Sequence, residues 1–382
     1  MKKKKICVVV ASRANYGRVK SLLVEIKKSK KLELQLILSA SAILKRFGNV
    51  LDIVKKDGFK PDSIVYTVVE GENLETMSKS TGLAIVELTT CFSKLNPDIV
   101  VTVADRYETM ATAIAASYMN ITLAHIQGGE VTGSIDESVR HSITKLAHIH
   151  FPATQESKKR IIKMGENKKY IFNTGCPSID LIKKTPKINN KHNIKENGVG
   201  IKINYSKPFI LVVQHPVTSE YGEGFRQISE TLRAIEKLNI QTIWLWPNID
   251  AGSDEISKGL RVFRETKSDS LISFYKNFEI EDYAYILKNC ICAVGNSSSF
   301  LREGEFFGTP VVLVGTRQNG REHGKNITKA KYKTSDILIK IEKQIAHGKY
   351  NSNKIFGDGT AGKKIANKLI SSNPSIQKKI TY

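Results

Sequence analysis

The sequence predicts an α/β protein built from two doubly wound, Rossmann-like domains with a ligand cleft between them. Three observations predict it. Short, continuous apolar runs rich in β-branched residues alternate with segments of helical periodicity, the pattern of parallel strands covered on both faces. The 382 residues exceed what one ordinary core accommodates, and a composition of 41% hydrophobic and 25% charged residues supplies material for two. Polar clusters follow the apolar runs directly, at the strand ends where doubly wound sheets bind ligands.

Taken in order, the first run is KICVVVA. Four lysines precede it, imitating a secretory leader, but the apolar stretch Ile6–Ala11 ends before Arg13. A leader core needs roughly 7–15 apolar residues, so this run reads as a buried first strand. ELQLILS, DIVVTV, ITLAHI, HIHFPA and YIFNTG are the further strands of a first domain over 1–182. Helical patterns separate them at Tyr16–Lys28, Glu75–Lys94, Arg106–Met119, Ser134–Ala147 and Gln155–Met164. The stretch 183–206 is polar, rich in Lys and Asn and without apolar period, and reads as a linker region. A second domain over 207–360 carries the strands PFILVVQH, QTIWLWPN, ICAVGN and PVVLVG, with helices at Gly224–Leu238 and Ser298–Phe307. Ser371–Tyr382 reads as a tail.

The formal charge of +22 is mostly lysine, spread along the chain in pairs. No RNP-like aromatic motif, zinc finger or basic heptad accompanies it, so it predicts a solvated surface and not a nucleic-acid partner. No apolar stretch approaches the ~20 residues that span a membrane. Cys7, Cys91, Cys176, Cys290 and Cys292 have neither CxxC nor zinc spacing. Most lie in apolar runs, which predicts buried free thiols in a reducing compartment and a cytoplasmic location.

The clusters at the strand ends carry the chemistry. GNSSSFLRE places Gly295 to Ser298 at a strand-to-helix turn, where free amides and hydroxyls suit a diphosphate or simply cap the helix. Glu303 in that helix suits a ribose diol or a solvated surface. Arg13 and Arg317 each stand just past a strand, in position for phosphate or as ordinary exposed arginines. HIQGGEVTGSIDESVRH, from His125 to His141, contains the capping-box pattern Ser134–Glu137. Asp136 then falls near the second helical position with Arg140 one turn on, which a surface ion pair also explains. That account leaves Gly128, Gly129 and Glu130 over; the glycines would let backbone approach a ligand. His215, before Pro216, is either a core histidine or a cation facing a leaving phosphate. His148 and His150 belong to a buried strand.

Together SRANYG, ADR, GGEVTGSIDESVRHSITKLAH, GCPS, QHPVT, PNIDAGS, GNSSSFLREGEFFGTPV and GTRQNGRE resemble, in order and spacing, the hydrolysing UDP-N-acetylglucosamine 2-epimerases of sialic acid biosynthesis, including the epimerase part of the bifunctional animal enzyme. The resemblance spans roughly Ile6 to Leu369. Enzymes acting on diacetylated bacillosamine nucleotides in legionaminic acid synthesis look similar. The family implies a glycosyltransferase-B-like fold, a terminal helix near 361–372 returning to the first domain, a nucleotide-sugar substrate, no metal or cofactor, and a homodimer or homotetramer. Carried over by position, Asp105 and Asp136 match catalytic carboxylates, and His215 and Arg140 match active-site cations. Arg13, Arg106, Asn248, Ser297, Ser298, Glu303 and Arg317 match nucleotide and phosphate contacts. Two positions depart from the pattern. Gln127 stands where many members carry a catalytic glutamate, so either Glu130 takes over, or Asp105 and Asp136 suffice, or activity is altered. Ala42, in SASAILKRFGN, stands where relatives often carry histidine. Both departures fall on the expected sugar side. A glycosyltransferase of the same architecture and a nucleotide-sugar-binding protein without turnover are the competing readings.

Overall fold

The computed structural model describes residues 2–381 apart from 46–49, 72, 134, 184, 187–193, 195–197, 248–249 and 268. Internal contacts divide the chain into two compact units, one of Met1–Val131, Ile135–Lys183 and Ile355–Tyr382, the other of Thr132–Ser134 and Lys184–Lys354.

In the first unit β1 (Lys4–Val10), β2 (Leu32–Ser39), β3 (Ser63–Val65), β4 (Ile99–Val103), β5 (Thr122–Ile126) and β6 (Ile149–Phe151) form one sheet in the order β3-β2-β1-β4-β5-β6. Every pairing is parallel, with Val8 opposite Leu36 on one side and Val101 on the other. Ile6 to Val10 and all of β4 and β5 are buried without alternation, because helices cover both faces. The strand order reverses between β1 and β4, so their carboxyl ends flank the switch point at which such sheets take ligands.

Three expectations are corrected here. The helix expected over Tyr16–Lys28 is two, α1 (Arg13–Gly17) and α2 (Lys20–Lys28), broken where the Arg18 and Val19 amides bond back to Asn15 and Tyr16 carbonyls. YIFNTG forms no strand; Ile171 makes an isolated bridge to His150, and Gly175 turns the chain at φ 81°. The last residues are no loose tail. Lys378 Nζ lies 2.7 Å from Glu166, His148 Nε2 donates to the Ile376 carbonyl at 3.0 Å, and the Thr381 amide donates to Gly165 at 2.9 Å. Glu166 also accepts from Lys145 and His150; burial opposes its charge, but these donors outweigh it and hold the carboxyl down at about 2. Upstream, α14 (Ala361–Ser371) packs on α2, and the Asp180 carboxylate accepts the Ala361 and Gly362 amides at its start.

The second unit repeats the plan. β7 (Val199–Gly200), β8 (Ile210–Val213), β9 (Thr242–Leu245), β10 (Ile272–Tyr275), β11 (Cys292–Gly295), β12 (Val311–Val314) and β13 (Ile327–Ala330) stand in the order β13-β12-β11-β8-β9-β10-β7. β7 alone runs antiparallel. Leu211, Val213 and Ala293 point into one core layer, and Ile210, Val212 and Val294 into the other. The polar stretch 183–206, expected as a linker, therefore supplies an edge strand and buries Ile194 and Ile203 in this unit's core. Here the reversal lies between β8 and β11.

Among the described residues no helix is long and apolar enough to cross a membrane. The cysteines are free, all buried except the half-buried Cys91.

Glu305, on α12 (Ser298–Phe307), is buried. Burial pushes its carboxyl up from 4.5 to about 7; Gly324's amide offsets this and Glu322 adds to it. A carboxyl raised in the folded state contributes stability that is complete below the unfolded pKa and lost as pH rises through the folded one. Glu305→Gln is therefore expected to raise Tm at pH 8, by a stability increment of at most about 3 kcal/mol, and to change it little at pH 4. Thermal melts across that range check this.

Candidate active site

In the first unit the chain leaves β4 through Ala104, held at φ 67°. His125, fully buried on β5, donates from Nε2 to the Ala104 carbonyl at 2.8 Å. Burial drives this imidazole down to about 3, only partly offset by that carbonyl, so the ring is neutral. The turn aims Asp105 inward, where it forms an ion pair with Arg140 of α6 (Asp136–Leu146). Arg140 is 1% exposed and also donates to the Glu130 carbonyl at 3.0 Å. The surface ion pair that sequence spacing allowed is thus corrected: Arg140 is a buried clamp joining the ends of β4 and β5 to α6. Two charges at that depth need each other, because a lone buried ion is costly.

Gln127 follows β5 at φ 65° and is fully buried. Its Nε2 donates to Cys176 Sγ at 2.8 Å, while Oε1 has no partner among the described residues. Ala42, the other departure, is fully buried and donates its amide to the Ala11 carbonyl at 3.1 Å; the rest of its loop, 46–49, lies outside the described residues. Glu130 is buried just beyond the glycine pair. Those glycines serve the protein's own packing. A Cβ on Gly128 would meet the His125 ring at 2.8 Å, and one on Gly129 the Ser157 carbonyl at 2.4 Å. Asp136 is the first residue of α6, one position earlier than expected. Ser134, and with it the expected capping box, lies outside the described residues; Glu137 pairs with His141 at 3.0 Å. Arg13 opens α1 behind its cap, Ser12. Arg106 forks onto the buried Glu108 at 3.0–3.3 Å.

In the second unit the residues cluster at the β8/β11 switch point. Gly295, at φ 129°, brings β11 so near β8 that a Cβ would lie 2.1 Å from the Val213 carbonyl oxygen. Asn296 then ties the two strand ends together, accepting the His215 amide at 2.7 Å and donating to the His215 carbonyl at 2.8 Å. His215 is half-buried, and the proline after it favours extended backbone. Ser297 caps α12 and Ser298 is its first residue, so the dipole and free amides of a ten-residue helix open at this point. The Oε2 of Glu303 on the same helix is buried with no partner among the described residues. Arg317 lies 3.3 Å from Asp250 and accepts the Gly133 amide on its carbonyl. Asn248 lies outside the described residues.

Arg13, Asp105, Arg106 and Gln127 follow strand carboxyl ends in the first unit, with Glu130 just beyond and Asp136 and Arg140 on α6; His215, Ser297, Ser298 and Arg317 follow strand ends in the second, with Glu303 on α12. Arg106 and Arg317 hold carboxylate partners that sequence reasoning missed, Glu108 and Asp250. It missed Asn296 too, although GNSSS contains it; an asparagine between two strand ends was the available signal. No group of three or more His, Cys, Asp or Glu suited to a metal occurs among the described residues.

The family described as UDP-N-acetylglucosamine 2-epimerase matches residues 24–370. The chain is 30% identical to the UDP-N-acetylglucosamine 2-epimerase of Neisseria meningitidis serogroup B, over 93% of this chain and 91% of that one. It is 31% identical to the UDP-N,N'-diacetylbacillosamine 2-epimerase (hydrolyzing) of Legionella pneumophila, over 93% of each. To the GDP/UDP-N,N'-diacetylbacillosamine 2-epimerase (hydrolyzing) of Campylobacter jejuni it is 32% identical, over 86% and 84%. Among solved structures, the fold is similar to UDP-GlcNAc 2-epimerase from Methanocaldococcus jannaschii in complex with UDP-GlcNAc and UDP, with TM-score 0.79, 16% identity and coverage of 96% and 100%. The enzyme from Neisseria meningitidis bound to UDP-GlcNAc gives TM-score 0.76 at 17% identity, covering 96% and 100%. The two parallel-sheet units are those of a glycosyltransferase-B-like fold.

Proposed function

The chain belongs to the UDP-N-acetylglucosamine 2-epimerase family, and from that premise we propose that it hydrolyses a nucleotide-linked 2-acetamido sugar with inversion at C2. UDP-N-acetylglucosamine is the default substrate, giving N-acetylmannosamine and UDP. The observation that supports this reading is the buried Asp105–Arg140 pair, which ties the end of β4 to α6, the helix that Asp136 opens. The relatives named as hydrolysing enzymes support release of free sugar.

The chemistry requires these residue types. A C2 proton beside an acetamido-bearing carbon is too weak an acid to be removed directly. The C1–O bond therefore breaks ahead, UDP leaving with the electron pair and positive charge gathering on the ring. On the second unit His215, Arg317 and the amides and hydroxyls of Ser297 and Ser298 stabilise the departing diphosphate, and Glu303 accepts from the ribose diol. On the first unit Arg13 and Arg106, the latter forked on Glu108, are the nucleotide-binding cations of this reading. A carboxylate, Asp136 in this reading, takes the C2 proton, and the C–H electron pair forms the C1=C2 bond of a glycal. Water then adds at C1 while C2 is protonated from the opposite face. Asp105, held by Arg140, and Glu130 are the carboxylates for that second face. Gln127 cannot exchange protons and serves as a fixed amide.

A second reading keeps the reaction and changes the sugar to a diacetamido-trideoxyhexose. The neutral, fully buried Gln127 favours it, together with the Legionella and Campylobacter relatives. Parallel incubations with UDP-N-acetylglucosamine and UDP-N,N'-diacetylbacillosamine, without acceptor, separate the readings by UDP release and by the proton spectrum of the freed sugar. UDP release only on addition of an acceptor would indicate a transferase instead.

Arg317→Ala is expected to raise KM roughly tenfold or more and to lower kcat as well, since a charge-assisted contact contributes about 1.5–3 kcal/mol and Arg317 also meets the charge that develops on the diphosphate. Initial-rate kinetics check this. An unchanged KM would leave Arg317 as a partner of Asp250 alone.

A further inference from the structure

We infer that Tyr283 is a positioning residue for the nucleotide site: through Ser299 it turns the hydroxyl proton of Ser297 outward, toward a diphosphate. This rests on the reading above, in which Ser297 meets the diphosphate. Tyr283 stands on α11 (Ile280–Asn289), and its hydroxyl meets Ser299 Oγ of α12. Ser299 Oγ lies 2.9 Å from Ser297 Oγ, and the Ser299 amide donates to that same oxygen at 3.4 Å. Three hydroxyls form a chain that ends on the helix cap.

The direction of the chain follows from counting protons. If Tyr283 donates to Ser299 and Ser299 donates to Ser297, Ser297 Oγ receives two hydrogen bonds, one from that hydroxyl and one from the Ser299 amide. Its own proton is then left over as a donor at the start of α12, where the helix dipole already favours an anion. In the reverse direction Ser297 spends its proton on Ser299, and among the described residues Tyr283 is left with no acceptor that it meets as squarely as Ser299, its approach to Ser297 being the poorer one. Glu303 is near enough for its charge to bear on the phenol, but Tyr283 makes no hydrogen bond to it among the described residues. A polar proton left poorly bonded in such surroundings costs free energy, so the outward direction prevails. Burial, with a contribution from Glu303, also keeps the phenol protonated well above its ordinary range, so the chain keeps its donor at any working pH.

Titration of full-length protein with UDP and, separately, with uridine tests this. Tyr283→Phe is expected to raise the Kd for UDP about tenfold and to leave the Kd for uridine, which lacks the diphosphate, unchanged. Ser299→Ala should give the same loss, and the double variant no more than either single one, because both break one chain. Equal losses for UDP and uridine, additive losses in the double variant, or wild-type UDP affinity in Tyr283→Phe would each overturn the inference. If the wild-type protein itself binds no UDP, the reading of the nucleotide site fails, and the inference with it.

Discussion

Asp136→Asn is expected to lower turnover roughly 10²–10⁴-fold while leaving affinity for UDP unchanged. The substitution keeps the side chain's shape and removes only its ability to take and return a proton, a loss of the size general acid–base groups supply. Asp136 opens α6, where a carboxylate also favours the helix dipole, so a stability loss of about 0.3–1 kcal/mol accompanies the change. Thermal melts measure that part separately from initial rates. Turnover close to wild type would remove Asp136 from the chemistry and leave it as a favourable helix-start charge.

The second large effect is on stability. Arg140→Met fills the same space with an apolar chain and strands the Asp105 carboxylate, buried without its counter-ion. Breaking a buried pair in this way costs about 3–5 kcal/mol. The Glu130 carbonyl loses its donor at the same time. Adding Asp105→Asn should recover much of the loss, because the stranded charge and not the missing contact dominates it. Denaturant melts of the two single variants and the double one check this. Melts in which Arg140→Met unfolds at the wild-type midpoint would show that the pair is not closed in solution.

These two residues also mark how far the sequence can be read. That Asp136 and Arg140 share a helix face follows from their spacing. That Arg140 turns inward to Asp105 does not, because the two are far apart in sequence and only the β4 turn at Ala104, pinned by His125, joins them. The long apolar strands of both sheets are legible because burial on both faces writes itself as unbroken β-branched runs. β3 and β7 are not, being three and two residues long, β3 with mixed burial and β7 exposed. The Lys and Asn of 183–206 hide two isoleucines that reach the second core. The tail reading failed for a similar reason: one lysine, Lys378, finds a buried carboxylate that no local pattern announces. Gly128 and Gly129 suggested a ligand because close backbone approach can be inferred from glycine, whereas what approaches cannot. At the β8/β11 switch point, His215, Ser297 and Glu303 are visible from motif and strand position, and Asn296 is marked by its place in GNSSS at a strand end. Glu108 and Asp250, the partners of Arg106 and Arg317, become visible only when the chain is folded.

In the proposed reaction UDP departs and the C2 hydrogen is exchanged on the way to free sugar. Incubation of the purified protein with its nucleotide sugar in deuterium oxide, followed by proton NMR, tests it most directly. UDP and a free 2-epimeric sugar carrying deuterium at C2 in every product molecule are the expected products. A freed sugar that keeps its original hydrogen at C2, or nucleotide sugar returned intact with neither UDP release nor deuterium uptake, would contradict it.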